Sequence, residues 1–180
     1  MASIASAGPF ECPICGQQHP LSFAFAANAP HAVLAIPEAE LTNRLIISPF
    51  QCVIDNKDFY LRGRILIPVH GYDEPFVWGV WAEISPKNFL RAHELWNTPG
   101  RENEPPFPGY LNTDLPLYGS TMNVEVDVQT QIVGRKPHFY VRDPDLVVGT
   151  EQREGITPER LQDINVKMWH PEAGVVSSGA

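Results

Sequence analysis

Residue types able to hold a soft divalent metal gather near the start of the chain. Cys12-Pro13-Ile14-Cys15-Gly16 is followed by His19, four residues beyond the second cysteine. Two cysteines separated by two residues can aim both sulfurs at one ion. A glycine directly after them permits the tight turn that brings backbone N–H groups near the thiolates. Structural zinc takes four ligands in a tetrahedron. His19 is the nearest candidate for the third, and Cys52, the only other cysteine, for the fourth. Three thiolates, one neutral imidazole and Zn²⁺ would leave a net charge of about −1, acceptable for a structural site. Such a site couples metal binding to folding with on the order of 10 kcal/mol of apparent binding energy. The spacing therefore predicts structural zinc on Cys12, Cys15, His19 and Cys52. Plainer readings stand beside it. Cys52 lies in an apolar stretch where a free cysteine behaves as a small core residue, and His19 beside Pro20 can simply close a turn. Redox chemistry is a third reading, since Cys-Pro-x-Cys also serves thiol oxidoreductases. There the second cysteine lies on a continuing helix, which Gly16 and Pro20 would interrupt.

Other constellations carry less. His93-Glu94-Leu95-Trp96-Asn97 begins like a zinc-protease helix, but Asn97 stands where the second histidine ligand would be. Arg62, Arg64, Trp81, Glu83 and His70 could converge beside Gly79, and arginine and tryptophan are favoured anchors in binding sites. Arg62, Trp81 and Glu83 are thus candidate ligand-binding residues. The plainer alternative is an arginine–glutamate cross-strand pair supported by an aromatic ring. Asp143 and Asp145 flank Pro144 and read as a turn. No phosphate-cradling glycine loop, serine nucleophile elbow or dinucleotide fingerprint occurs, and no residue is assigned a catalytic role.

The elements that must position these residues are legible in part. Pro37-Glu38 suits a helix entry, with the helix running to about Leu45. Gln51 to Ile54 reads as a strand and Asp55 to Asp58 as its turn. The clearest alternation follows: Phe59, Leu61, Gly63, Ile65, Ile67 and Val69 on one face, Tyr60, Arg62, Arg64 and Leu66 on the other. Phe76 to Ile84 alternates likewise, and a short loop between the two long strands favours an antiparallel pair. Ser85-Pro86 opens a helix carrying Phe89, Leu90, His93 and Trp96 and ending near Asn97. Pro and Gly are so frequent from Arg101 to Gly119 that a long ordered loop is expected. Met122 to Val128 and Phe139 to Val141 suit a hairpin with a turn near Gly134, and Thr157-Pro158-Glu159 caps a last helix with Leu161, Ile164 and Met168. The pattern predicts an α+β class: an antiparallel sheet, two or three flanking helices and an N-terminal cysteine knuckle. One domain is expected over residues 10–170, with the knuckle at 10–20 and flexible ends at 1–9 and 171–180.

Composition bounds the partners. The chain has 180 residues, 43% hydrophobic and 19% charged, within the globular range. A formal charge of −8 with no basic run disfavours nucleic acid and anionic membranes. The start lacks a cationic segment followed by a long apolar one, so a signal peptide is not expected. The Ala-rich stretch from Leu21 to Ile36 is too short and too interrupted to span a bilayer. Three cysteines, an odd number, close no disulfide framework, which points to the cytoplasm.

Several segments taken together carry a resemblance. Phe10-x-Cys12-x2-Cys15-Gly16-x2-His19, Cys52-Val53-Ile54-Asp55, Arg62-Gly63, Ile67-Pro68-Val69, Trp78-Gly79-Val80-Trp81, Asn88-Phe89 and Gln152-Arg153-Glu154-Gly155-Ile156 occur in order over nearly the whole chain. In this the sequence resembles the bacterial domain of unknown function 2199. The resemblance implies a small bacterial protein and supplies no activity. Where that family tends to carry Thr-Asp-His-Pro, this chain reads Arg142-Asp143-Pro144-Asp145. The expected function is a zinc-stabilised module that binds a protein or a small molecule, leaning away from an enzyme. An enzyme with its site on the Arg62/Trp81/Glu83 face, or at an open metal position, is the alternative. An immunity or accessory protein is a weaker one, suggested by small size and acidity.

Overall fold

The computed structural model describes residues 8–174. The expected flexible ends therefore fall largely outside the described residues, although Pro171–Gly174 forms a short 3-10 turn. A two-stranded knuckle comes first, β1 (Phe10–Glu11) paired antiparallel with β2 (Gln18–His19). Next come β3 (Ala24–Ala26), the single-turn helix α1 (Leu41–Arg44), β4 (Leu45–Ile47) and β5 (Gln51–Ile54). The long strands β6 (Asp58–Ile67) and β7 (Phe76–Ile84) lead into helix α2 (Pro86–Glu94). Then follow β8 (Phe107–Leu111), β9 (Glu125–Gln129) and β10 (His138–Val141), and finally helices α3 (Val147–Glu154) and α4 (Pro158–Trp169).

The class is α+β, but the sheet is not the open antiparallel one expected. Strands β6, β7, β8, β9 and β10 close into a five-stranded barrel, because β10 returns to pair with β6. Four seams are antiparallel; the closing seam is parallel and rests on the single register pair His138–Arg64. Closure is possible because the two long strands share their outer edges. Along β6, residues 58–61 pair with β5 while Arg64 pairs with β10. Along β7, residues 77–79 pair with β3 while residues 82–84 pair with β8. The alternation read from sequence holds: Leu61, Ile65, Ile67, Phe76, Trp78, Val80, Ala82 and Ile84 are buried in one core. Gly63 belongs to that face, and a Cβ there would lie 2.3 Å from the Phe139 ring. The missing side chain is what lets Phe139 cross the barrel interior.

Helices cover the barrel. Ser85 accepts a hydrogen bond from the Asn88 amide at 3.2 Å and caps α2, whose Phe89 packs on Phe59 at 4.9 Å between centroids. The expected apolar face of α2 is only partly right, since Leu90 and His93 are exposed and the helix ends at Glu94. At the opposite end of β6, Ile156 bridges Val69, and His70 Nε2 sits 2.9 Å from the Glu154 carbonyl. His70 therefore clips α3 to the barrel rather than joining Arg62 and Trp81.

The short strands β3 and β4 were not expected, and two larger elements were not either. β8 runs through the Pro- and Gly-rich stretch that reads as loop. β7 reaches no further than Gly109 along it, so Pro108 meets no ladder on that side. At Gly109 a Cβ would be tight, 3.1 Å from Val128 and 3.2 Å from Ile84, so those side chains would have to give way slightly. α3 is the second, ended by Gly155 at φ +85°, where a Cβ would meet His70 and the Pro68 carbonyl. In place of the helix expected from Glu38 to Leu45, a 3-10 turn (Glu38–Glu40) runs into α1.

Candidate metal site

The knuckle folds as its residue types dictate. Gly16 adopts φ +67°, its amide donates to the Cys12 carbonyl at 2.8 Å, and the Cys12 amide donates to the Gln17 carbonyl at 2.8 Å. The register Phe10–His19 then returns His19 beside the cysteine loop, with Cys15 Sγ 3.1 Å from His19 Nε2. Burial pushes the Cys12 thiol up, but hydrogen bonds from the Cys15 and Ile14 amides and the Cys15 side chain outweigh it. The net shift is downward, towards the thiolate.

The fourth member comes from the far end of the chain. His170 follows α4, and the ligand atoms of Cys12, Cys15, His19 and His170 all lie within 4.8 Å of one another. A zinc tetrahedron with bonds of about 2.0–2.3 Å has edges of roughly 3.3–3.8 Å, so small side-chain adjustments would close the set. Two thiolates, two neutral imidazoles and a divalent ion sum to no net charge, which suits a partly buried position. His170 Nε2 is buried with no hydrogen-bond partner, as a ligand atom without its ion would be. The residues present fit a tetrahedral metal.

α4 is held where this requires. Thr157 accepts from the Arg160 amide at 3.2 Å and starts the helix; Leu161 and Ile164 enter the core. Fully buried Asn165 accepts from the Ser22 amide at 2.8 Å and donates to the Ser22 carbonyl at 3.0 Å. That pair fixes the chain leaving the knuckle against α4. Arg160 donates to Glu151 at 2.7 Å and Tyr118 donates to the same carboxylate at 2.5 Å, tying α4 to α3. Trp169 stacks on His19 at 5.4 Å between ring centroids.

Cys52, expected as a ligand, is not in this group. It sits on β5 opposite Tyr60, fully buried among Ile36, Ile54, Tyr60 and Trp81. Burial raises its thiol pKa to about 11, keeping it protonated and a poor ligand at neutral pH. The apolar strand around it agrees with the plainer reading, a small core residue. His170 escapes a reading of the sequence because nothing there relates it to the knuckle; only the α4 docking does.

The candidate ligand-binding residues are placed in three different ways. Trp81 is fully buried beneath the 27–45 segment and donates from Nε1 to the Ala27 carbonyl at 3.2 Å. Arg62 pairs with it across the strands, its guanidinium 5.8 Å from the indole centroid. Glu83 pairs with Tyr60, and burial, then the Asp58 charge, raises its pKa. No Arg62–Glu83 ion pair forms among the described residues. Asp143 accepts from the Asp145 amide at 2.9 Å, the turn expected. No helix of the described residues is long and apolar enough to cross a membrane.

The barrel and its flanking helices define a small α+β protein in which the N-terminal knuckle meets the residue after α4 at a candidate two-cysteine, two-histidine metal site. The chain belongs to the family described as "Uncharacterized protein conserved in bacteria (DUF2199)", whose model matches residues 11–156. Cys12, Cys15 and His19 lie within the match and His170 beyond it. No curated protein and no solved structure matches the chain.

Proposed function

We propose that the protein is a zinc-stabilised binding module in which one structural ion pins the N-terminal knuckle to the end of α4. The observation that carries this is the convergence of four ligand atoms within 4.8 Å of one another, three from the knuckle and the fourth from His170 at the far end of the fold. All four positions would be filled by protein, leaving none for a substrate, so the ion would brace rather than catalyse. The braced surface is a binding platform for a protein or small molecule, and the compartment is the cytoplasm, where thiolates stay reduced.

Cobalt substitution tests the reading directly. The Co²⁺ form should show a four-coordinate spectrum with thiolate charge-transfer bands, one ion per chain, unaltered by added azide. Cys12→Ser and His170→Ala should each abolish stoichiometric binding, while Cys52→Ala should retain it. A spectrum that shifts with azide would open a coordination position and favour a metalloenzyme. Retention of the ion in His170→Ala would dismantle the clasp.

A further inference from the structure

The closing seam of the barrel gathers basic side chains. His138 of β10 lies opposite Arg64 of β6 in parallel register, and Arg64 Nη2 is 3.5 Å from His138 Nε2. Lys136, two residues before His138, is near enough to Arg62 and Arg64 for both charges to act on it. All four side chains are half-buried. Burial lowers the Lys136 pKa, with the Arg62 and Arg64 charges adding to it; burial and Arg64 do the same to His138. Among the described residues, no carboxylate lies within 4.0 Å of Arg62, Arg64 or Lys136.

Scarcity of acid does not explain this, because the chain carries 21 acidic residues against 13 basic ones. Arg44, Arg91, Arg142 and Arg160 each reach a carboxylate at 2.6–2.9 Å, and Arg101 and Arg153 reach backbone carbonyls instead. Cations brought together without a counter-charge, here Arg62, Arg64 and Lys136, weaken a sheet. Here they stand at the one seam with a single ladder pair. Moreover, Arg64 Nε is buried without any hydrogen-bond partner. The stems are held in place by rings, Arg62 on Trp81 at 5.8 Å and Lys136 on Phe50 at 5.4 Å. Arg101 donates to the carbonyls of Gln131, Ile132 and Arg135 at 2.7–3.2 Å, fixing the loop that delivers Lys136.

We propose that Arg62, Arg64, Lys136 and His138 form a binding site for a phosphate-type oxyanion, which completes the barrel seam. An oxyanion bearing two charges meets several cationic donors at once, and the arginine fork matches its oxygens. The cleft beside Arg62, lined by Phe50, Leu61, Trp96 and Thr130 among others, has only about 20 Å³ of free volume, so the site suits the anion itself and leaves any organic substituent outside. This site stands apart from the metal clasp and does not depend on it.

The test titrates the ¹⁵N-labelled full chain with inorganic phosphate and, separately, with phenyl phosphate. Saturable shifts at residues 62–64 and 136–138 are expected, with a phosphate-dependent rise in melting temperature. Tighter binding of phenyl phosphate would identify an organic ester as the ligand; equal binding would identify the free anion. Arg64→Gln with Lys136→Gln should weaken binding roughly tenfold or more, the effect of losing a charged hydrogen bond. Lys57→Gln with Lys87→Gln removes the same charge elsewhere and should leave affinity unchanged. If the double seam variant does not fold, Lys136→Gln alone serves. The proposal is overturned if neither anion saturates in the millimolar range, or if both charge-matched variants bind alike.

Discussion

The chain keeps cysteines in two opposite environments, and their comparison shows how surroundings decide what a thiol can do. At the knuckle, the second sulfur is exposed, backbone amides favour the thiolate on the first, and two imidazoles stand within ligand distance. On β5, Cys52 has Ile36, Ile54, Tyr60 and Trp81 around it and a pKa pushed up to about 11. One region has polar ligand atoms and little apolar packing; the other has apolar packing and no second ligand. On the proposed reading the first would cohere through an ion; the second coheres through burial.

Truncation of the apolar nest should have the largest effect on stability. Trp81→Ala removes a fully buried indole, its hydrogen bond to Ala27 and the platform under Arg62. A loss of about 3–5 kcal/mol is expected in denaturant unfolding, with metal content per folded chain unchanged. A loss below about 1 kcal/mol would mean that the 27–45 segment is not held by this ring.

Chelation should act on the other region and act locally. Removing the ion should raise amide exchange in the knuckle and the last turn of α4, leaving β5, β6 and β7 protected. Asn165, gripping Ser22 on both sides, sets how far that loosening spreads. Asn165→Ala leaves the half-buried Ser22 amide and carbonyl without their partner and should destabilise by about 1–3 kcal/mol even with metal bound. Uniform exchange across both regions after chelation would remove the distinction between them.

The thiols themselves offer a sharper comparison. In the chelated native protein an alkylating reagent should modify exposed Cys15 first and Cys12 next, with Cys52 unreactive until the chain unfolds. Rapid modification of Cys52 in the folded state would contradict its enclosure.

Much of this arrangement can be read from residue pattern, but unevenly. Strict alternation over Phe59–Val69 and Phe76–Ile84 reveals both long strands and their inward faces, because burial on one side imposes a period of two. Caps at Ser85 and Thr157 reveal two helices for an equally local reason. Closure does not show, since it rests on one parallel pair, Arg64 with His138, between residues with no apolar signature. β8 is hidden by Pro105, Pro106 and Pro108, which a strand edge without a partner tolerates. Half of the candidate metal site is legible as C-x2-C and a third ligand as a near neighbour. The remaining ligand depends on where α4 docks, which is tertiary information, and Cys52 enters the expected set only as the last cysteine left to assign.

The smallest expected effect lies at the edge of the nest, where Glu83 faces Tyr60 and Asp58. Burial, with the Asp58 charge adding to it, raises the Glu83 pKa above that of a free carboxyl. A group with a raised folded pKa is best tolerated below its unfolded value, and stability falls as pH rises through the folded value. Glu83→Gln stays neutral throughout. Near pH 4 the variant and the parent should melt alike, and towards pH 7 the variant should become the more stable. The melting-temperature difference across that interval measures it, and a difference that shrinks or reverses as pH rises would show that the carboxylate is stabilised where it sits.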